Sequence, residues 1–232
     1  MKHTKNAVIF LMVMALILTL LAGCDNVFGS SSSKGSSTSG GDGGLGESFT
    51  LPAGPIDYLP GDAEVAVAYL NYPGEDEPVY FYTPVDVSDG SFPGMTITAP
   101  PSEHLVDWDI FFEGGFDDIS FITVSDNNLK IQIIFDVAIL KGTDLIEENF
   151  LGFIERGDDD TIFIMWFYTD RDVQMSGSTT LGDGDDSETI IINLNFKKGW
   201  NRVIFSWDEE TKTERIETGP EPSGVSWIYF ED

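Results

Sequence analysis

The chain has 232 residues, with 12 lysines and arginines against 40 aspartates and glutamates, which gives a net charge of −28 at pH 7. This charge repels polyanions and excludes nucleic acid as a partner. The single cysteine excludes an internal disulfide framework and the usual structural zinc sites. With 41% hydrophobic and 12% aromatic residues, the chain is nevertheless too apolar to be disordered.

The first 23 residues have the pattern of an export signal. Lys2 and Lys5 precede an apolar run at 7–22, which is shorter than the roughly 18–20 residues that span a bilayer. The run ends in Leu21-Ala22-Gly23-Cys24, which resembles the lipobox of bacterial lipoproteins. The resemblance implies that residues 1–23 are cleaved off and that Cys24 is acylated, anchoring the protein to a membrane of the bacterial cell envelope. The alternative is an uncleaved helix followed by a chance cysteine. The leaflet, periplasmic or surface-exposed, stays open.

The segment after the cysteine has the composition of a tether. From Gly29 to Ser48, 15 of 20 residues are glycine or serine, as in flexible linkers. We therefore predict that residues 24–48 are a disordered, lipid-anchored linker. The remaining residues, 49–232, carry the whole net charge of −28, which pushes the folded body away from an anionic lipid surface.

The folded part is predicted to be all-β, because its hydrophobic residues alternate with period two and helical periodicity is nearly absent. Clean alternation appears at 106–110, 129–133 and 189–196, and Val203, Phe205 and Trp207 share one face. The run 161–168 is apolar on both faces and predicts a central strand. One short helix is predicted at 144–150. Turn signals include Asp89-Gly90, Asp126-Asn127-Asn128 and Lys198-Gly199. We predict one or two antiparallel β-sandwich units, at 49–141 and 142–232, which form either two domains or one.

Two weaker resemblances cover parts of this body. Residues 49–141, with the turn Val87-Ser88-Asp89-Gly90-Ser91-Phe92, resemble transthyretin-like or carboxypeptidase-regulatory β-sandwich modules, which implies a non-catalytic stalk or presentation module. The segments 168–173 (YTDRDV) and 197–201 (KKGWN), with a terminal strand at Trp227, resemble uncharacterised spirochaete envelope lipoproteins. That second likeness implies a cellular location and no activity.

Catalysis is not expected. His104 would be the only histidine left after cleavage, and it lies in a proline-rich loop with neither a nucleophile motif nor a metalloprotease motif nearby. A pair of carboxylates for glycoside hydrolysis is a less favoured alternative.

Two groups of residues are candidates for ligand binding. Acidic side chains at Asp183, Asp185, Asp186 and Glu188 offer oxygen ligands for calcium, although solvated loop residues show the same pattern. Trp200, beside the Lys198-Gly199 turn, and Tyr80 with Tyr82, on one strand face, are candidates for stacking on sugar rings. For Trp200 the alternative is packing beneath a hairpin. No other cofactor is expected.

The sequence therefore predicts a lipid-anchored envelope protein that acts as a non-enzymatic binding or structural module. The alternatives are a carbohydrate-binding or calcium-stabilised adhesin-like lipoprotein and, behind these, a hydrolase. A glycan or a protein is the expected kind of ligand.

Overall fold

The computed structural model describes residues 43–59, 64–70, 80–113, 118–134, 136–141, 144–156, 160–182 and 187–231. The strands are β1 (Gly44–Gly46), β2 (Ser48–Leu51), β3 (Gly54–Asp57), β4 (Val65–Leu70), β5 (Tyr80–Phe81), β6 (Val85–Asp86), β7 (Ser91–Phe92), β8 (Met95–Thr98), β9 (Val106–Asp107), β10 (Thr123–Val124), β11 (Lys130–Ile133), β12 (Asp136–Lys141), β13 (Asp144–Arg156), β14 (Asp160–Thr169), β15 (Val173–Leu181), β16 (Glu188–Phe196), β17 (Gly199–Asp208), β18 (Thr213–Thr218) and β19 (Ser226–Glu231). A 3-10 turn at Ser102–His104 and one helix, α1 (Trp108–Glu113), complete these elements. The all-β prediction is confirmed. Within the described ranges, no helix has the length and apolar character needed to cross a membrane.

Strand β14 lies at the centre of the main sheet, which has seventeen strands among the described residues. Strand β17 pairs with it along its whole length, from Asp160 opposite Asp208 to Thr169 opposite Gly199. The other edge of β14 is shared, with β13 pairing near its beginning and β11 near its end. The prediction of a central strand at 161–168 is confirmed.

The two faces of β14 belong to two different hydrophobic cores, which explains why its sequence is apolar throughout. The first core contains Ile164, Trp166 and Tyr168, with residues from β4, β8, β12, β13 and β19. The second core contains Phe167 and residues from β11, β15, β16, β17 and β18, and the partly buried Phe163 and Met165 pack against this core. Because successive side chains of a strand point to opposite faces of the sheet, β14 contributes side chains to both cores.

The sheet is mostly antiparallel, with two exceptions. Strand β18 pairs parallel to β16 and antiparallel to β17, so it lies between two strands that the chain connects directly. Strand β19 pairs parallel to β3.

Strands that precede residue 142 are hydrogen bonded to strands that follow it, as in β3–β19, β11–β14 and β10–β15. The division into units at 142 stays a prediction.

The predicted helix at 144–150 is wrong, because these residues form the first half of β13. Strand β12 pairs with this half on one side and β19 pairs with β13 on the other. Pairing with β12 thus holds this half in an extended conformation, and this context overrides a weak local preference for helix.

The predicted strand at 106–110 is also partly wrong. Strand β9 ends at Asp107 and α1 begins at Trp108. Trp108 and Phe112 are both buried in the second core, at the four-residue spacing of one helix face, whereas Ile110 is 49% exposed. The helical signal lies beyond the alternating residues, since Phe111 and Phe112 follow Trp108 at the three- and four-residue spacing of a helix face.

Residues 43–48, predicted as the end of the disordered linker, are described by the structure and include a strand. Strand β1 pairs with β17, placing Gly44 opposite Asn201 and Gly46 opposite Trp200. Gly43 accepts a hydrogen bond from the backbone N–H of Arg202, 2.9 Å away. We call residues 43–47 the strap. Composition predicts flexibility for this glycine-rich segment, but the missing side chains also let its backbone lie directly on β17.

Candidate functional site

Trp200, the leading candidate for a sugar platform, lies in the first core and is fully buried. Its indole Nε1 donates a hydrogen bond to the carbonyl oxygen of Thr98, 3.1 Å away. Its ring contacts Phe49 and Tyr168. The sugar-platform prediction for Trp200 is therefore wrong, because no face of the ring is open to a ligand, and the alternative of packing beneath the hairpin describes it.

The tyrosine pair is placed differently from the prediction. Tyr82 is buried, and its hydroxyl donates to the same Thr98 carbonyl, 3.1 Å away. Burial raises the pKa of Tyr82 above its usual range. Tyr80 is partly exposed and contacts Tyr82 edge-on and His104 at an angle. Of the three aromatic candidates, only Tyr80 retains surface that a ligand can reach.

The calcium candidates lie mostly outside the described residues, since Asp183, Asp185 and Asp186 are not among them. Glu188 is described and exposed at the beginning of β16. Across the described ranges, no three histidine, cysteine or carboxylate residues come together as metal ligands. Calcium binding at 183–188 stays a prediction.

A mostly buried carboxyl group lies near Glu188 and was missed in the sequence. Glu214 on β18 is opposite Trp207 of β17 and Ile190 of β16. Its Oε1 atom is shielded from solvent and has no hydrogen-bond partner within the described part of the chain. Burial, together with the negative charge of Glu188, raises the pKa of Glu214 to about 7.

Substituting Glu214→Gln should therefore make stability less dependent on pH. As pH rises from the ordinary glutamate value of 4.5 to about 7, the unfolded chain releases its Glu214 proton before the folded chain does. The free energy of unfolding then falls in this window, by up to about 3 kcal/mol, and Glu214→Gln removes that fall. The measurement is urea unfolding at about pH 4 and about pH 8.

The matched control for this variant is Glu217→Gln, which removes the same charge from an exposed position of the same strand. It should change the free energy of unfolding little at either pH. Equal stabilisation by both variants at high pH would instead assign the effect to the net charge of the protein.

A polar network at the end of β14 joins the two motifs YTDRDV and KKGWN. Asn201 is fully buried and donates from Nδ2 to the carbonyls of Lys197 and Gly199, at 2.7 and 2.8 Å. Its Oδ1 accepts from the N–H of Lys197, and the hydroxyl of Thr169 donates to the Lys197 carbonyl. The backbone N–H of Lys198 donates to Asp172, 2.8 Å away. The network thus fixes the β16–β17 turn against the end of β14.

Arg171 extends this network to a third loop. Its guanidinium donates two hydrogen bonds to Asp170 and one to Asp126, each at 2.9 or 3.0 Å. Burial opposes ionisation of Asp170, but hydrogen bonds from Arg171 and from the N–H of Lys130 outweigh it and lower its pKa. The N–H of Asn128 and then Arg171 lower the pKa of Asp126. The polar residues of the 168–173 motif are therefore used to hold three turns together.

The strap closes over the same end of β14. Tyr168 donates its hydroxyl to Glu47 at 2.6 Å, and Lys198 lies 3.3 Å from the other oxygen of that carboxylate. Burial and then the hydrogen bond to Glu47 raise the pKa of Tyr168 to about 12. Gly199 adopts φ +101°, and a Cβ atom placed there would lie 2.5 Å from the backbone of Gly46. In the sequence, the only trace of this contact is the presence of glycines at both places, Gly43, Gly44 and Gly46 in the strap and Gly199 in the turn.

Comparison of the chain with protein-family models, with curated proteins and with solved structures finds no match.

Proposed function

We propose that this chain is an exported protein, anchored by acyl chains on Cys24 to a membrane of the bacterial cell envelope. The observation that carries the proposal is the sequence Leu21-Ala22-Gly23-Cys24, which follows an apolar run of 16 residues and contains the only cysteine of the chain. Several acyl chains exceed the two hydrophobic signals that stable membrane attachment needs. The folded body is then what the anchor presents.

We further propose that the body is a non-enzymatic structural or binding module. This proposal is supported by the fact that the candidate functional side chains make hydrogen bonds within the fold. Trp200 and Tyr82 donate to Thr98, Arg171 bridges two loops, and Asn201 satisfies a turn. Groups engaged inside the chain in this way maintain the fold. A catalytic residue, in contrast, needs functional atoms that are free to contact a substrate.

The anchor is tested by Cys24→Ser in the bacterial cell. A serine hydroxyl does not accept the thioether-linked lipid, so incorporation of labelled palmitate should be lost and the protein should remain unprocessed or leave the membrane fraction. The measurement is label incorporation together with partitioning between detergent and aqueous phases.

The control returns a thiol outside the motif, by combining Cys24→Ser with Ser30→Cys. If the lipobox selects the cysteine, this double variant also takes up no palmitate. A Cys24→Ser protein that is still acylated and membrane-bound would contradict the proposal.

A further inference from the structure

One side of β15 is only partly covered by other strands. Strand β16 pairs with β15 along the whole of residues 173–181. On the other side, β10 pairs only with residues 175–176, and among the described residues no further strand pairs there. The loop before β10 approaches β15 as far as Gly177, where an added Cβ atom would overlap the carbonyl oxygen of Phe121. We call residues 178–181 the open edge.

The backbone of the open edge points away from β16 at every second residue. The N–H of Gln174 donates to the hydroxyl oxygen of Ser125, and the carbonyl of Gln174 accepts from the N–H of Ser125, both at 2.9 Å. The N–H and C=O of one residue point to the same side of a strand, and this side alternates along the chain. Ser178 and Thr180 therefore direct their backbone groups to the same side as Gln174. The open edge thus presents two donors and two acceptors to an extended chain.

The open edge has none of the features that usually keep strand edges from pairing, which are charged side chains, proline and bulges. Residues 173–181 contain no charged residue and no proline, although 22% of the chain is charged. Their register with β16 has no irregularity. Leu181 is 44% exposed and offers an apolar contact to a chain placed beside it. These properties fit β-strand addition, in which an extended peptide joins a sheet through its backbone.

The charges next to the open edge are negative. Glu188 is opposite its last residue on β16, and Asp118 lies in the loop that approaches β15; both are exposed. The described bases of this half of the main sheet are farther along it, Lys212 and Arg215 on β18, two strands away, and Arg156 on β13, beyond β17 and β14. With a net charge of −28, the protein attracts a cationic chain and repels a second copy of itself.

We propose that the open edge of β15 binds an extended, cationic segment of another protein, which adds to the sheet as a further strand. This inference rests on the proposed role as a binding module and is independent of the lipid anchor. The backbone of the segment pairs with Ser178 and Thr180, and its basic side chains lie near Asp118 and Glu188. At about 3.3 Å per residue, the open edge accommodates about four residues of the segment.

The test uses a synthetic peptide with blocked ends and the sequence KTVTVTK, which carries a dye. Its binding to the full chain in nonionic detergent micelles is followed by fluorescence anisotropy. A first control peptide, ETVTVTE, has the same backbone and the opposite charge. A second control is the lysine peptide with an N-methylated backbone, which cannot donate hydrogen bonds. The lysine peptide should bind at least about tenfold more tightly than either control.

Three variants at one position test the edge itself. Thr180→Pro removes an N–H that points away from β16, so it removes no bond of the β15–β16 ladder. Thr180→Lys leaves the backbone intact and adds a charge that repels the probe. Each should weaken binding by at least about tenfold. Thr180→Val, the matched control, keeps both the backbone and the neutral edge and should bind as the unchanged protein does. Circular dichroism checks that each variant is folded.

Absence of binding by the lysine peptide, equal binding of the lysine and glutamate peptides, or unchanged binding in Thr180→Lys would overturn the proposal. Dimers of the full chain that Thr180→Pro abolishes, without binding of the peptide, would assign the open edge to a second copy and would also overturn it. Failure of the proposed function has a different result, since an enzyme acting on the peptide would return it cleaved, which mass spectrometry detects.

Discussion

Replacing Trp200 by alanine should lower the free energy of unfolding by about 3–5 kcal/mol, as expected for removal of a large aromatic side chain from a packed core. The indole is fully buried between Phe49 and Tyr168, and it also satisfies the carbonyl of Thr98. The measurement is urea unfolding of the full chain in detergent micelles, followed by circular dichroism.

The matched control is Trp207→Ala, on the same strand. Trp207 is partly exposed and donates its Nε1 hydrogen to exposed Glu209, so its removal should cost less than half as much. Equal losses from the two variants, or an unchanged stability in Trp200→Ala, would contradict the burial of Trp200. Any glycan-binding experiment with this variant must first show that the protein is folded.

Replacing Gly199 by alanine should detach the strap and lower the free energy of unfolding by about 2–4 kcal/mol. Alanine is strained at φ +101°, and its Cβ would lie 2.5 Å from the Gly46 backbone, so β1 has to move away from β17. The Glu47 contacts to Tyr168 and Lys198 would then be lost with it. Hydrogen exchange should show loss of protection at residues 44–47 before the rest of the sheet is affected.

Gly46→Ala is the control for the conformational part of this effect. Gly46 also has a positive φ, +82°, but a Cβ atom there meets nothing within 4 Å. It should cost only about 1 kcal/mol, from backbone strain, and should leave the strap on β17. If both variants detached the strap equally, the strap would depend on the positive φ that the two glycines share, and not on the close approach of Gly199 to Gly46.

The strands that the sequence predicted best are those in which one face is clearly buried. Ile190, Ile192, Leu194 and Phe196 alternate with more exposed residues, and the structure buries all four in the second core. The turn at Asp89-Gly90 is confirmed as well, because both residues have positive φ, which aspartate and glycine adopt more easily than most residues. In both cases the determining interaction is local, within a few residues of the chain.

The sequence by itself thus determined the all-β class, the central strand at 161–168 and the buried face of β16. On β17 it placed Val203 and Phe205 on a buried face correctly, whereas Trp207 of the same predicted face is partly exposed. It also supplied the lipobox from which the anchor is proposed. Only the tertiary structure decided that 144–150 extends a strand, that Trp200 is buried and that residues 43–47 are ordered. Each of these depends on a partner outside the segment itself: β12 for 144–150, Thr98 for Trp200, and Gly199 for the strap. A local pattern does not show which other segment will pair with a strand, accept a hydrogen bond or bury a side chain. These features were therefore decided by the packing of the chain.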